Sequence, residues 1–270
     1  MLETIRKEWQ AKVILLIFAV YAAVWLSLQF PQTRNSLLLD LYGQTYGIVA
    51  LFGGVWGLFI AKPWGFLKSA MGKAIVFLSL GLLAQVFGQV AYTVYVYVLH
   101  VSIPYPSVGD VGYFGSIPLY IIGTIYLAKV SGVRVSMRSV VSKIQAVIIP
   151  VLILGAAYLL FLQNYEFDWS LPLTMFLDFG YPLGQAIYIS IALLTYLLSR
   201  SLLGGVMKTK ILFILFALFM QFLSDYVFLF QVSRGTWELG GISEFIYLAA
   251  YLLMAIGILQ LKTMVKKLQE

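Results

Sequence analysis

The sequence has no cysteine and a single histidine, His100. Disulfides, thiolate nucleophiles and cysteine-ligated metals are thereby excluded, and one imidazole cannot build a histidine metal centre. Charge is also scarce, at 11% of residues against about a quarter in a soluble domain. There is no G-x-S-x-G nucleophile elbow. No lysine falls in the middle of an apolar run, where a retinal Schiff base would need one. The residues supply no catalytic set, metal site or cofactor site.

What fills the chain instead is apolar: 61% hydrophobic over 270 residues, with a mean hydropathy of +0.93. The net charge of +7 does not point to nucleic acid, because the basic residues stand singly between apolar runs rather than on an aromatic-interleaved stripe. They read as topology signals of an integral membrane protein embedded in a lipid bilayer. Val13 to Phe30 exceeds a signal-peptide core and has no A-x-A cleavage pattern, so it is expected to be a retained first span.

A helix needs about 20 apolar residues to cross the hydrocarbon core. Eight segments qualify, near 12–30, 44–61, 72–99, 110–129, 143–163, 174–199, 209–232 and 242–262. Open sheet edges are excluded in lipid, and a barrel would show short alternating strands. The expected fold is therefore an all-α bundle, a single polytopic domain over 1–270. With the N-terminus inside, the inner segments hold Arg6, Lys7 and Lys12; Lys62, Lys68 and Lys73; Lys129, Arg134, Arg138 and Lys143; Arg200, Lys208 and Lys210; and Lys262, Lys266 and Lys267. Of the 18 basic residues only Arg34 and Arg234 are left outside. Both termini are expected in the cytoplasm, in a multi-pass protein of a prokaryotic cytoplasmic membrane. Short connections predict antiparallel hairpins.

The acids run the other way. Glu3, Glu8 and Glu270 fall inside; Asp40, Asp110, Glu166, Asp168, Asp178, Asp225, Glu238 and Glu244 fall outside or in the outer half. Three of them share a pattern: Asp110-x-x-Tyr113, Asp178-x-x-Tyr181 and Glu244-x-x-Tyr247 are expected to open the fourth, sixth and eighth helices, while Asp40 opens the second without the tyrosine. The chain thus reads as four repeated helical hairpins. "QVFGQVAYTVY" further aligns with "QFLSDYVFLFQ", pairing Gln85 with Gln221 and Gln89 with Asp225. Each of these pairs is spaced i, i+4 on one helix face.

Two readings compete at these acids. Ser107 and Asp110 fit a capping box, and an acid in the first turn also complements the helix dipole. Asp225 does not fit a cap. It lies roughly 10 Å below the outer end of its helix at 1.5 Å per residue, where a carboxyl needs a polar cavity or a partner. Either it lines a cavity or it makes a structural hydrogen bond between helices. Pro118 and Pro182 are expected to kink their helices. Tyr92, Tyr95, Tyr97, Tyr105 and His100 are expected at the membrane interface.

"YPSVGDVGYFGSIPLYIIGTIYL" and "FLSDYVFLFQVSRGTWELGGISEFIYLAAYL" resemble the multi-spanning N-terminal membrane sensor domain of GGDEF/EAL proteins and some histidine kinases. Pro106, Ser107, Asp110 and Tyr113 match its first motif; Asp225, Glu244 and Tyr247 match the second. The resemblance implies sensing of a stimulus on the outer side. Only "TMVKKLQE" follows Lys262, so the expected output is a separate cytoplasmic signalling partner.

The function expected from these readings is a sensory or ligand-binding module rather than an enzyme. Its outer polar site comprises Asp225, Asp110, Glu244, Asp178, Gln89, Gln221, Tyr113, Tyr181 and Tyr247, and it would suit a small cationic or polar ligand. A small transporter or channel is the first alternative, since internal repeats and a buried acid fit one. An intramembrane hydrolase acting on a lipid-like substrate is the second, through a loose likeness of "LSDYVF" to lysoplasmalogenase-type enzymes.

Overall fold

The computed structural model describes residues 2–133, 137–163, 165–199 and 205–269. Arg134, Arg200 and Glu270 lie outside the described residues, as do the side chains of Glu3, Lys266 and Lys267. The described residues are all-helical apart from turns and loops. Among the described residues eight helices are long and apolar enough to cross a membrane: Trp9–Leu28, Ser36–Ala61, Ala70–Val98, Val108–Val130, Val140–Leu162, Pro172–Ser199, Met207–Ser233 and Ile242–Val265. They are called spans one to eight below. Helices keep every backbone donor and acceptor paired within the segment, the condition lipid imposes.

Burial orders the spans. Span eight is the most enclosed, 61% of its apolar window being buried, whereas only 6% of span five is. Span five is nonetheless the most hydropathic of all, and it exposes Val147, Val151 and Leu152 outward, as a helix facing lipid does. Spans three and four form the tightest pair, followed by seven and eight; span two lies between three and eight, and span six packs on four, five and seven. Close approach of three and four depends on small residues. A Cβ on Gly112 would stand 2.4 Å from the Ala84 carbonyl oxygen and 2.5 Å from the Gly88 nitrogen, so only glycine fits.

The two ends of the chain meet. Thr4 Oγ1 and Thr263 Oγ1 lie 3.3 Å apart, and Lys262 Nζ donates to the buried Glu8 carboxylate at 2.5 Å. This defines a terminal face. On the opposite face, here the loop face, Arg34 pairs with Glu238 at 3.2 Å.

Several boundaries differ from the sequence expectation. Span two begins at Ser36 rather than near residue 44, because Asn35 caps it by accepting from Leu37 N–H at 2.8 Å. Asp40 therefore lies in the second turn and does not open the helix. Span six begins at Pro172, which sets Asp178 nearly two turns inside. Span two is also broken at Tyr46–Gly47, between the helical segments Ser36–Thr45 and Ile48–Ala61.

The break has a single identifiable cause. The Gln89 carboxamide of span three enters the helical ladder at Gly43 and Gly47, a residue pair spaced i, i+4. Its Oε1 accepts from Gly47 N–H at 2.9 Å and its Nε2 donates to the Gly43 carbonyl at 2.9 Å. One side chain thus replaces one backbone hydrogen bond and leaves neither backbone group orphaned. A Cβ on Gly47 would lie 2.0 Å from Gln89 Oε1, so the insertion needs glycine there.

Gln89→Leu is expected to lower unfolding stability by about 1–3 kcal/mol, the cost of a buried unpaired polar group, measured by denaturant titration in detergent. An unchanged stability would mean that span two closes its own ladder and does not need the clamp.

Candidate functional site

The polar residues singled out in the sequence collect mainly in the interior, joined by tyrosines. Asp225 on span seven is buried and accepts from Tyr247 Oη of span eight at 2.7 Å and from Gln221 Nε2 at 3.3 Å. Both hydrogen-bonded partners are neutral. Tyr120 of span four and Tyr188 of span six lie within electrostatic range of the same carboxylate. The Tyr188 hydroxyl is directed at this carboxyl too, outside strict hydrogen-bond geometry; the Tyr120 hydroxyl is buried and closes no hydrogen bond with a described residue, and the same holds for Gln185 Oε1, one turn before Tyr188.

Spans three and eight are tied in the same layer. Tyr251 Oη donates to Gln85 Oε1 at 3.2 Å, and Gln85 Nε2 donates to Ser116 Oγ at 2.9 Å. Span eight thereby bonds span three while Tyr120 of span four lies within electrostatic range of the Asp225 carboxyl on span seven. The rings pack as well: Tyr247 against Tyr251 at 6.0 Å, Tyr251 against Tyr46 at 6.1 Å, and Tyr120 against Tyr188 at 5.9 Å between centroids.

Asp110 completes the capping box expected of it. Its Oδ2 accepts from Ser107 N at 2.7 Å and Ser107 Oγ at 2.9 Å, while Ser107 Oγ accepts from Gly109 N. Capping leaves the other oxygen free for tertiary use. Oδ1 accepts from Tyr181 Oη of span six at 2.7 Å. Glu244 likewise caps its own helix, accepting from Gly240 N at 2.8 Å, and lies within electrostatic range of Tyr42 and Tyr46. Tyr113 connects the two acids, being in range of both and packed edge-on against Tyr92 at 5.1 Å.

Asp178 is separate from this interior set. Tyr105 Oη and Tyr165 Oη donate to its two oxygens at 2.6 and 2.8 Å, clasping the 105 and 165 loops to span six on the loop face. Gln89 is used at the break in span two. Two surface depressions, about 740 Å³ over the Ser27–Leu38 turn and about 500 Å³ beside Trp64, are not lined by any of these four acids. Among the described residues no group of three metal-ligating side chains occurs.

Tyr120, Tyr188, Tyr251, Tyr46 and Gln185 were not among the residues singled out from sequence. A signal for two of them existed. Tyr120 and Tyr188 each follow a patterned tyrosine, Tyr113 and Tyr181, by seven residues and so share its helix face.

Comparisons with known protein families, with curated proteins and with solved structures find no match for this chain, so the site is interpreted from its own chemistry.

Two predictions come from this geometry. Tyr247→Phe removes a hydrogen bond to a buried carboxylate and is expected to destabilise by about 1.5–3 kcal/mol, with Asp225→Asn costing less because the amide oxygen still accepts. Equal stability of Tyr247→Phe and wild type in detergent melts would show that the pair is not coupled. The clasp has a pH signature. The Asp178 carboxylate, with some loss of solvent, pushes the Tyr165 phenol up to about 12; loss of solvent and the same carboxylate push Tyr105 up as well. The folded state thus holds these protons more tightly than an unfolded tyrosine of pKa about 10, and the clasp's contribution is whole below that pH and lost as pH rises towards the folded value. Hydrogen exchange in 165–171 is expected to quicken above pH about 10 in wild type and to be fast already at neutral pH in Asp178→Asn. The same alkaline step in both proteins would rule the clasp out.

Proposed function

We propose that this protein is a membrane ligand-binding and sensory module whose site is the interior cluster around Asp225, and that its ligand is a small amine or quaternary ammonium ion. One observation carries the reading: a buried carboxylate met by neutral donors only, with the buried Tyr120 hydroxyl left unpartnered in its field. An uncompensated carboxylate at this depth is costly. A cation would offset that cost, and tyrosine faces around it would add cation–π attraction.

The pairing of Gln85 and Gln89 with Gln221 and Asp225 supports a repeat in which one copy clamps a helix and the other keeps a carboxylate. Ligand binding at Asp225 would pull on Tyr247 and hence on span eight, which reaches the terminal face at Lys262. With the basic terminal face in the cytoplasm, as the lysine and arginine distribution favours, a separate signalling protein would read that movement.

The broken span two is the feature that favours the second reading, a small transporter, because interrupted helices commonly line transport sites. One set of measurements separates the two. Full-length protein in nanodiscs is titrated with methylammonium, tetramethylammonium and choline, and with their neutral isosteres, while its melting temperature is followed. At least one ammonium ion is expected to stabilise saturably, by about 2.7 kcal/mol at a hundred times its dissociation constant, with the effect absent in Asp225→Asn. No stabilisation by any of them, or stabilisation that survives Asp225→Asn, sinks the ligand reading. Ammonium flux into liposomes that depends on Asp225 selects the transporter.

A further inference from the structure

A second site lies on the terminal face, away from the Asp225 cluster. Lys73, in the first turn of span three, and Lys129, in the last turn of span four, converge on one aromatic ring. Their ammonium groups stand 5.2 and 4.6 Å from the Tyr126 centroid, and Phe77 stacks on the same tyrosine. Lys129 is exposed and Lys73 partly so. Neither forms an ion pair with a described residue.

At the same ends of spans three and four lies an apolar groove of about 500 Å³, with Trp64, Met71 and Val130 among its lining residues. It is tied in place on one side: Trp64 Nε1 donates to the Leu261 carbonyl at 3.2 Å, and Ser69 Oγ donates to the Trp64 carbonyl. Met71 and Val130 belong to the same terminal turns of spans three and four as Lys73 and Lys129.

We propose that this groove and lysine pair bind one anionic phospholipid, the phosphate accepting hydrogen bonds from Lys73 and Lys129 and the upper part of an acyl chain lying on Met71 and Val130. Three features fit that occupant. Both lysines sit within one turn of the ends of membrane-crossing helices, the depth of lipid headgroups. Two cations with no acid paired to them among the described residues are complementary to a phosphodiester and its negative leaflet. The apolar groove beside them suits a hydrocarbon tail better than a free anion.

The test uses full-length protein in nanodiscs of phosphatidylcholine and phosphatidylglycerol in equal amounts, with retained lipids counted by native mass spectrometry. Wild type is expected to keep phosphatidylglycerol in preference. Lys73→Gln and Lys129→Gln should each lower that preference about fivefold, and the double variant roughly 30-fold, from the usual attraction of a surface lysine to anionic lipid. Lys143→Gln, an exposed lysine outside the groove, should leave it unchanged, and excess inorganic phosphate should not displace the lipid. Val130→Trp, which fills the groove and keeps both charges, should also reduce retention. The proposal is overturned if the double variant matches wild type, if Lys143→Gln lowers the preference as much, if phosphate strips the lipid, if Val130→Trp retains it fully, or if the groove holds a second copy of the chain in place of lipid.

Discussion

Buried polar groups in an apolar bundle must be satisfied without charge neutralisation, and most of what is distinctive here answers to that demand. Asp225 is the severest case. Among described residues it is hydrogen-bonded by a phenol and a carboxamide, and no lysine or arginine pairs with it. Gln89 meets the same demand for the backbone. Where span two is interrupted, a carboxamide, with its donor and acceptor on one carbon, takes the place of the missing ladder bond. Both residues sit on the spans that pack most intimately, three and seven, each against its following neighbour.

Tyrosine is the residue that lets these demands be met together. Its ring packs as an apolar body while its hydroxyl reaches a polar partner. Tyr181 to Asp110, Tyr247 to Asp225 and Tyr251 to Gln85 each bridge two spans, and the rings of Tyr46, Tyr251 and Tyr247 run through the interior between them. A change at Asp225 is therefore felt first by span eight, the most enclosed helix, and through Tyr251 by span three. A coupling of that kind needs no long-range wire, only packed helices sharing hydrogen bonds.

The two faces differ in how they use charge. On the loop face, carboxylates are consumed locally, by capping at Asp110 and Glu244 and by the phenol clasp at Asp178. On the terminal face Glu8 fastens the two ends of the chain together through Lys262, while Lys73 and Lys129 rest on Tyr126 with no acid paired to them among the described residues. The first arrangement holds loops; the second leaves cation available at the membrane surface.

Much of this architecture was legible in the sequence, because the bilayer makes the reading simple. Eight apolar runs of spanning length became eight apolar helices, and "PSVGD" became a capping box, since both depend on local chemistry and on segment length. The break in span two was not legible. Nothing in the sequence marks Gly43 and Gly47, and only the approach of Gln89 from another helix makes them a clamp. The helix starts before Asp40 and Asp178 were misplaced for a related reason: Asn35 and Pro172 set them, upstream of the apolar signal. By itself the sequence determined membrane residence, helix number and the presence of buried acids, all consequences of hydropathy along the chain. Which acid is clasped at the surface and which is left among neutral tyrosines was decided by tertiary structure, because Tyr105, Tyr165 and Tyr247 reach them from other segments of the chain.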